Sequence, residues 1–305
     1  MKEKDNMEFQ NFDVVIEDFK EPYKLNKYNK RNDIVIEKFI KELKKQKDIL
    51  IDILKQENEK WNYNFNINRF FQIADKYEHI EYNNNQKFGI GNIIAIQAEN
   101  PYLNLELIFN TILANCRVMI ITGEAFISFN MYIISLIQKV LKNENLDLNL
   151  ISFVDALDYK KRIIDNKQVI DCIIVNREYD DYYFFQKNTS IKTIYLDYGN
   201  INIYTDGDEY KNQIDIVSLE ADKLDMDVYS YEIDDLDIFL KKENNNFVFN
   251  TAVIYSKDIK KCMKLYEIIK ARNVFINTFD INKIDIGLDI NDLLFEKKII
   301  IEDGK

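Results

Sequence analysis

Short, mostly apolar runs rich in Ile and Val recur at residues 92–97, 117–122, 150–154, 170–175, 192–196 and 201–205. A strand that is apolar along its whole length, rather than at alternate positions, must be covered on both faces, which is the mark of a parallel sheet. Between these runs, residues 105–114, 126–141, 159–165 and 181–186 carry helical spacing. Strands and helices in alternation, joined by right-handed crossovers, give an α/β fold with a doubly wound parallel sheet. The pattern returns later, with strands expected at 228–231, 251–255 and 273–277 and helices at 233–242 and 260–270. The 233–242 helix places Asp234 and Asp235 in its first turn and Lys241 and Lys242 in its last, which suits the helix dipole. An Ile-rich strand is expected at 297–302.

The region before the first strand is different. Ile36, Phe39, Ile40, Leu43, Leu50, Ile53 and Leu54 fall near one helical face, and a second helix is expected over 66–77. Residues 1–32 are polar and mixed, and read as an arm or edge element.

The chain of 305 residues carries 41 Lys and Arg against 52 Asp and Glu, a net charge of -11. That balance argues against nucleic acid as a partner, since a phosphate-binding face needs clustered cations. No apolar run approaches the roughly 18 residues of a membrane helix, and Met1-Lys2-Glu3-Lys4-Asp5 leads into no signal-peptide core, so a cytoplasmic protein is expected. Cys116, Cys172 and Cys262 are far apart, which fits a reducing compartment without a zinc site. Cys116 stands beside Arg117, which would activate a thiol if it faced it; a structural cysteine ahead of a buried strand is the simpler account. His79, the single histidine, sits in a charged stretch and reads as a surface residue, so a histidine-based metal site or triad is not expected. The runs Asp225/Asp227 and Asp234/Asp235/Asp237 lack the turn glycine of a calcium loop and read as caps and solvated faces. Glu99, in a loop before Pro101, reads as solvated. Tyr182-Tyr183-Phe184-Phe185 reads as a helix face packed on the sheet. With only seven glycines, the chain has neither G-x-G-x-x-G nor a Walker sequence.

Residues 91–101 read GNIIAIQAENP, 114–125 ANCRVMIITGEA, 193–206 TIYLDYGNINIYTD, 250–279 NTAVIYSKDIKKCMKLYEIIKARNVFINTF and 287–305 GLDINDLLFEKKIIIEDGK. In this order and spacing they resemble the aldehyde dehydrogenase superfamily, most closely its glutamyl-phosphate reductase and acylating branches, over about residues 35–305. The resemblance implies a cofactor-domain-like α/β region with N-terminal helices at 33–206, a truncated second α/β lobe at 207–290 and an oligomerisation strand at 291–305. It implies vestigial NAD(P)-contacting positions at Asn100, Thr122, Gly123, Gly199 and Asn200. Gly199-Asn200 is also explained as a turn that needs a positive φ angle.

Departures from the family pattern set the expected function. Hydride transfer in the family needs a thiolate nucleophile, and no cysteine lies between Cys172 and Cys262, where the nucleophile loop belongs. Ile121 stands where relatives place a Lys or Arg for the cofactor. The glycine-rich turn after the 170–175 strand reads Asn176-Arg177-Glu178-Tyr179-Asp180-Asp181, which is crowded and acidic where backbone amides would meet a pyrophosphate. The expectation is a degenerate aldehyde-dehydrogenase-like protein without the catalytic cysteine and without a cofactor, serving as an assembly or regulatory subunit. It would pair with itself or with an active relative, through an edge such as residues 299–301. The alternatives are an NAD(P)-dependent aldehyde or acyl reductase with an atypical site, and a nucleotide or acyl sensor.

Overall fold

The Ile- and Val-rich runs form strands, and the helices fall between them. The computed structural model describes residues 10–21, 30–62, 65–78, 87–96, 101–121, 123, 125–154, 158–176, 179–196, 200–222, 226–233, 249–269, 271–280 and 293–296. Four helices come first: α1 (Phe12–Lys20), α2 (Lys30–Lys45), α3 (Lys47–Trp61) and α4 (Ile67–Glu78). Then follow β1 (Lys87–Gly89), β2 (Asn92–Ile96), α5 (Pro101–Ala114), β3 (Arg117–Ile121), α6 (Ile127–Asn143), β4 (Ile151–Val154), α7 (Tyr159–Asp165), β5 (Cys172–Asn176), α8 (Tyr179–Asn188) and β6 (Lys192–Leu196). The remainder is β7 (Asn200–Thr205), α9 (Lys211–Asp222), β8 (Asp227–Glu232), β9 (Phe249–Tyr255), α10 (Ile259–Ile268), β10 (Ala271–Ile276) and β11 (Leu294–Glu296). Among the described residues no helix is long and apolar enough to cross a membrane.

The chain divides into two units, Met1–Tyr195 with Leu288–Lys305, and Leu196–Gly287. The division falls within β6, so β7 belongs to the second unit.

In the first unit, five strands take the order β4-β3-β2-β5-β6. The registers Ile93↔Val118, Val118↔Ile151 and Ile93↔Cys172 are parallel. Steps from β2 to β3 to β4 run one way, so right-handed crossovers set α5 and α6 on one face. The return from β4 to β5 sets α7 and α8 on the other. There Ile163 and Phe185 join Ile94, Ile96, Met119, Ile121, Val154, Ile173 and Val175 in one apolar cluster.

Residues 12–20, expected as part of a polar arm, are instead a helix on this second face. Phe12, Val15, Ile16 and Phe19 are buried in the same cluster, at the i, i+3, i+4, i+7 spacing of a helical stripe. Asn11 caps its start by accepting the Asp13 N–H at 2.9 Å. Acidic residues between the apolar positions concealed the stripe in the sequence.

A further layer, α2 and α4, covers α5 and α6. Phe109 of α5 stacks on Tyr77 at 4.5 Å and meets Phe39 at 5.7 Å, while Phe70 packs on Phe129 of α6 at 5.3 Å. Helix α5 lies between this layer and the sheet, and every one of its residues is buried. A short antiparallel pair, β1 with β11, completes the unit. The expected strand at 297–302 lies outside the described residues, as does nearly all of the expected helix at 233–242.

In the second unit a smaller parallel sheet takes the order β10-β9-β7-β8. Helix α10 buries Cys262 and Leu265 against Tyr204, Ala252 and Ile254. Helix α9 was not expected; its Val217 and Ala221 are buried, but Ile216 and Leu219 are exposed, which blurs the pattern.

Candidate functional site

Open parallel sheets bind ligands beyond the carboxyl ends of their strands, where the strand order reverses. In the first unit that place lies between β2 and β5. It is bordered by Ile96, Ile121 and Asn176 and by the starts of α5, α6 and α8.

The start of α6 is held by a residue far away in sequence. Phe126 takes the left-handed conformation, φ 55°, and offers no side-chain cap. The Ser128 N–H instead donates to Glu57 Oε1 at 3.0 Å, and Trp61 Nε1 donates to Glu57 Oε2 at 3.0 Å. Glu57 is buried because it shares a face of α3 with Leu50 and Leu54. Its carboxylate thus stands at the positive end of α6. Phe65 closes over the same region, edge-on to Tyr102 at 5.2 Å and to Phe126 at 4.9 Å. Both backbone groups of Phe65 bond the Asn58 amide, and Tyr102 Oη donates to the Asn66 carbonyl at 3.0 Å.

The start of α8 carries Asp180 and Asp181 in its first turn. Asp181 is buried and accepts from Tyr159 Oη and Lys160 Nζ. Lys160 also lies over the Phe184 ring, 5.5 Å from its centre. Both helix starts therefore already hold carboxylates of this chain. An anion placed at either would compete with that carboxylate for the helix-start donors. Ile121 joins the apolar cluster.

Three buried amides at this end of the sheet carry unsatisfied atoms. Both amide atoms of Asn104 and of Asn176, and Oδ1 of Asn130, have no hydrogen-bond partner among the described residues. The three residues are at most 3 % exposed.

All three cysteines are buried. Burial pushes the Cys116 thiol up to about 12 and raises that of Cys262. Arg117 does not activate Cys116. Its Nε donates to Asn92 Oδ1 at 2.9 Å and its other nitrogens to the Asp18 and Glu21 carbonyls at 2.6 and 3.0 Å, so the guanidinium is committed to the end of α1.

Of the positions that the sequence nominates for cofactor contact, Asn100, Thr122 and Gly199 lie outside the described residues. Gly123 lies half-buried between β3 and α6, and Asn200 opens β7 in the other unit. His79, Glu99, Asp225, Asp234, Asp235 and Asp237 are likewise outside the described residues. Among the described residues no group of three or more His, Cys, Asp or Glu is placed to hold a metal. Of the aromatic run 182–185, Phe185 is fully buried and Tyr182 and Phe184 pack against the same cluster, while Tyr183 is exposed.

In the second unit the strand order reverses between β7 and β9. Asp206 there accepts from Ser256 Oγ at 2.8 Å and from Lys261 Nζ at 3.0 Å, while the Asn277 amide bonds both backbone groups of Ser256 at 2.8 and 2.9 Å. Every group in this knot is paired, and it ties the ends of three strands to α10. The Lys261 ammonium, then the Ser256 hydroxyl, hold the Asp206 carboxyl below its ordinary value of 3.8. A carboxyl lowered by folding stabilises the fold above its unfolded pKa, and that contribution is lost as pH falls through the folded one. Asp206→Asn is therefore expected to flatten the stability curve below about pH 4, read as urea midpoints across pH. Identical acid limbs in the two proteins would refute this.

No family model matches the chain, and no curated protein matches it in sequence. Solved structures do match it. An acetylating aldehyde dehydrogenase from Geobacillus thermoglucosidasius is 9 % identical, with 96 % of this chain and 97 % of that one covered and a TM-score of 0.62. A propionaldehyde dehydrogenase from the Clostridium phytofermentans fucose utilisation bacterial microcompartment is 13 % identical, with 88 % of each chain covered and a TM-score of 0.61. Gamma-glutamyl phosphate reductase from Thermotoga maritima is 12 % identical, with 87 % and 86 % covered and a TM-score of 0.57. The chain has the fold of the aldehyde dehydrogenase superfamily, the fold its sequence resembles.

Proposed function

We propose that this chain is a non-catalytic subunit of aldehyde-dehydrogenase fold, which assembles with itself or with an active enzyme of that fold. The observation that carries the reading is the state of the thiols. The chemistry of the fold needs a cysteine thiolate, and each of the three cysteines is a buried side chain of a strand, a helix or a turn before a strand. The carboxylates of Glu57 and Asp181 at the helix starts support it further. Association is favoured by an uncovered apolar stripe on α10, where Ile259, Met263 and Tyr266 recur at i, i+4 and i+7 and are each about half exposed.

The test combines turnover and thiol labelling. The purified protein is expected to leave NAD(P)H absorbance unchanged with aldehydes, acyl phosphates or acyl-coenzyme A. Iodoacetamide at pH 8 is expected to label none of the three cysteines in the native protein and all three in denaturant. A steady substrate-dependent change in NAD(P)H, or rapid alkylation of one native cysteine, would overturn the reading in favour of a reductase.

A further inference from the structure

The buried amides of the first unit define a ligand site that the reading above does not use. Asn104 and Asn130 each occupy the fourth position of their helices, one turn above the carboxyl ends of β2 and β3. On α5, Tyr102 packs on Phe65, and Phe109 packs on Phe39 and Tyr77. Residue 104 falls on the opposite side of that helix, toward the sheet. Asn176 ends β5, and strand alternation sets it opposite Val175. Val175 belongs to the cluster shared with α1, α7 and α8, so Asn176 lies on the α5 and α6 face. Since β5 neighbours β2, the strand that leads into α5, Asn176 and Asn104 lie on one face of the sheet, with Asn130 on the helix that follows β3.

An amide that is buried without a partner is costly, and three gathered at one end of a sheet call for a group that satisfies them. Amides offer donors and acceptors in equal measure and carry no charge. The carboxylates placed at the flanking helix starts are those of Glu57 and Asp181, which disfavour an anion there. We infer that Asn104, Asn130 and Asn176 line a site for an uncharged ligand presenting a donor beside an acceptor, as a primary carboxamide or a nucleobase edge does. A phosphate or carboxylate on the ligand would be rejected. The site stands apart from the thiol argument, so NAD(P)H turnover would overturn the non-catalytic reading and leave this one to its own test.

Thermal shifts of the full chain decide it. Benzamide and adenosine represent the two sources of the donor–acceptor edge, and benzoate and adenosine 5′-monophosphate are their anionic counterparts. At least one neutral probe, at about 100 times its dissociation constant, is expected to raise Tm by roughly 2–4 °C, and the anions by less than about a quarter of that. Asn176→Leu keeps the shape and removes the unsatisfied amide. It is expected to raise the Tm of the free protein and to abolish the ligand shift; Asn104→Leu repeats the test at the second amide. Equal shifts with the anionic probes, no shift with either neutral probe, or a shift retained in both variants would overturn the proposal. So would a lower Tm for both free variants, since that means the amides are already satisfied without a ligand.

Discussion

Replacing Arg117 with Met is expected to destabilise the first unit by about 3–5 kcal/mol and to release α1 from it. Met retains most of the aliphatic volume, so the loss reports on hydrogen bonds and charge. Three acceptors lose a donor at once: Asn92 Oδ1, the Glu21 carbonyl and the Asp18 carbonyl, which keeps the Glu21 N–H at 3.2 Å. The two carbonyls lie at the end of α1, where the helix dipole favours a cation. The guanidinium also stacks on Phe19, 5.4 Å from the ring centre. A urea titration gives the energy, and limited proteolysis over residues 12–20 gives the location. A change under about 1 kcal/mol with α1 still protected would show that the buried face of α1 suffices alone.

Gly91→Ala is expected to cost about 2–4 kcal/mol, although it adds one methyl. Gly91 holds φ at 115°, where a residue with a side chain is strained. A Cβ there would stand 2.2 Å from Asp171 Oδ2, the oxygen that accepts the Asn92 N–H at 2.8 Å. The methyl must therefore break the bond that starts β2. Adding Asp171→Ala to the variant separates the two causes, because it relieves the clash and leaves the φ strain. Full recovery in the double variant would assign the cost to the clash alone, and a wild-type midpoint for the single variant would refute the argument.

Much of the fold was legible in the sequence because burial on two faces writes itself into composition. The runs Ile93–Ile96 and Val118–Ile121 have no polar residue, and no other secondary structure suits so short and apolar a segment between helices. What escaped detection escaped for physical reasons. The stripe of α1 is interrupted by Asp13, Glu17 and Asp18, and β1 and β11 are three residues each, too short for periodicity to show. The single helix expected across Ile36 to Leu54 is two, broken at Gln46, where the apolar face continues but the backbone does not.

The candidate site was less legible. The acids after β5 are visible in the sequence, but Glu57 reads as one more charge on an amphipathic helix. Only its register with Leu50 and Leu54 marks it as inward-facing, and its partner Ser128 is 71 residues away. Asn176 reads as the first residue of a loop, whereas the structure makes it the last residue of a strand. That difference of one position decides whether its amide meets water or the protein interior.

The pairing of Lys87 with Glu296 gives the first unit an unusual assembly history. Strand β1 leaves the ribosome early, and its only partner among the described residues emerges about two hundred residues later, after the whole of the second unit. During synthesis the second unit is a complete βαβ module tethered at both ends, with local contacts that reward it quickly. The first unit must hold β1 unpaired until that module has been made. Loop closure over so long a span grows only logarithmically, so the delay weighs on folding rate far more than on final stability. A nascent chain stalled before residue 294 would expose the free edge of β1 to any other strand within reach.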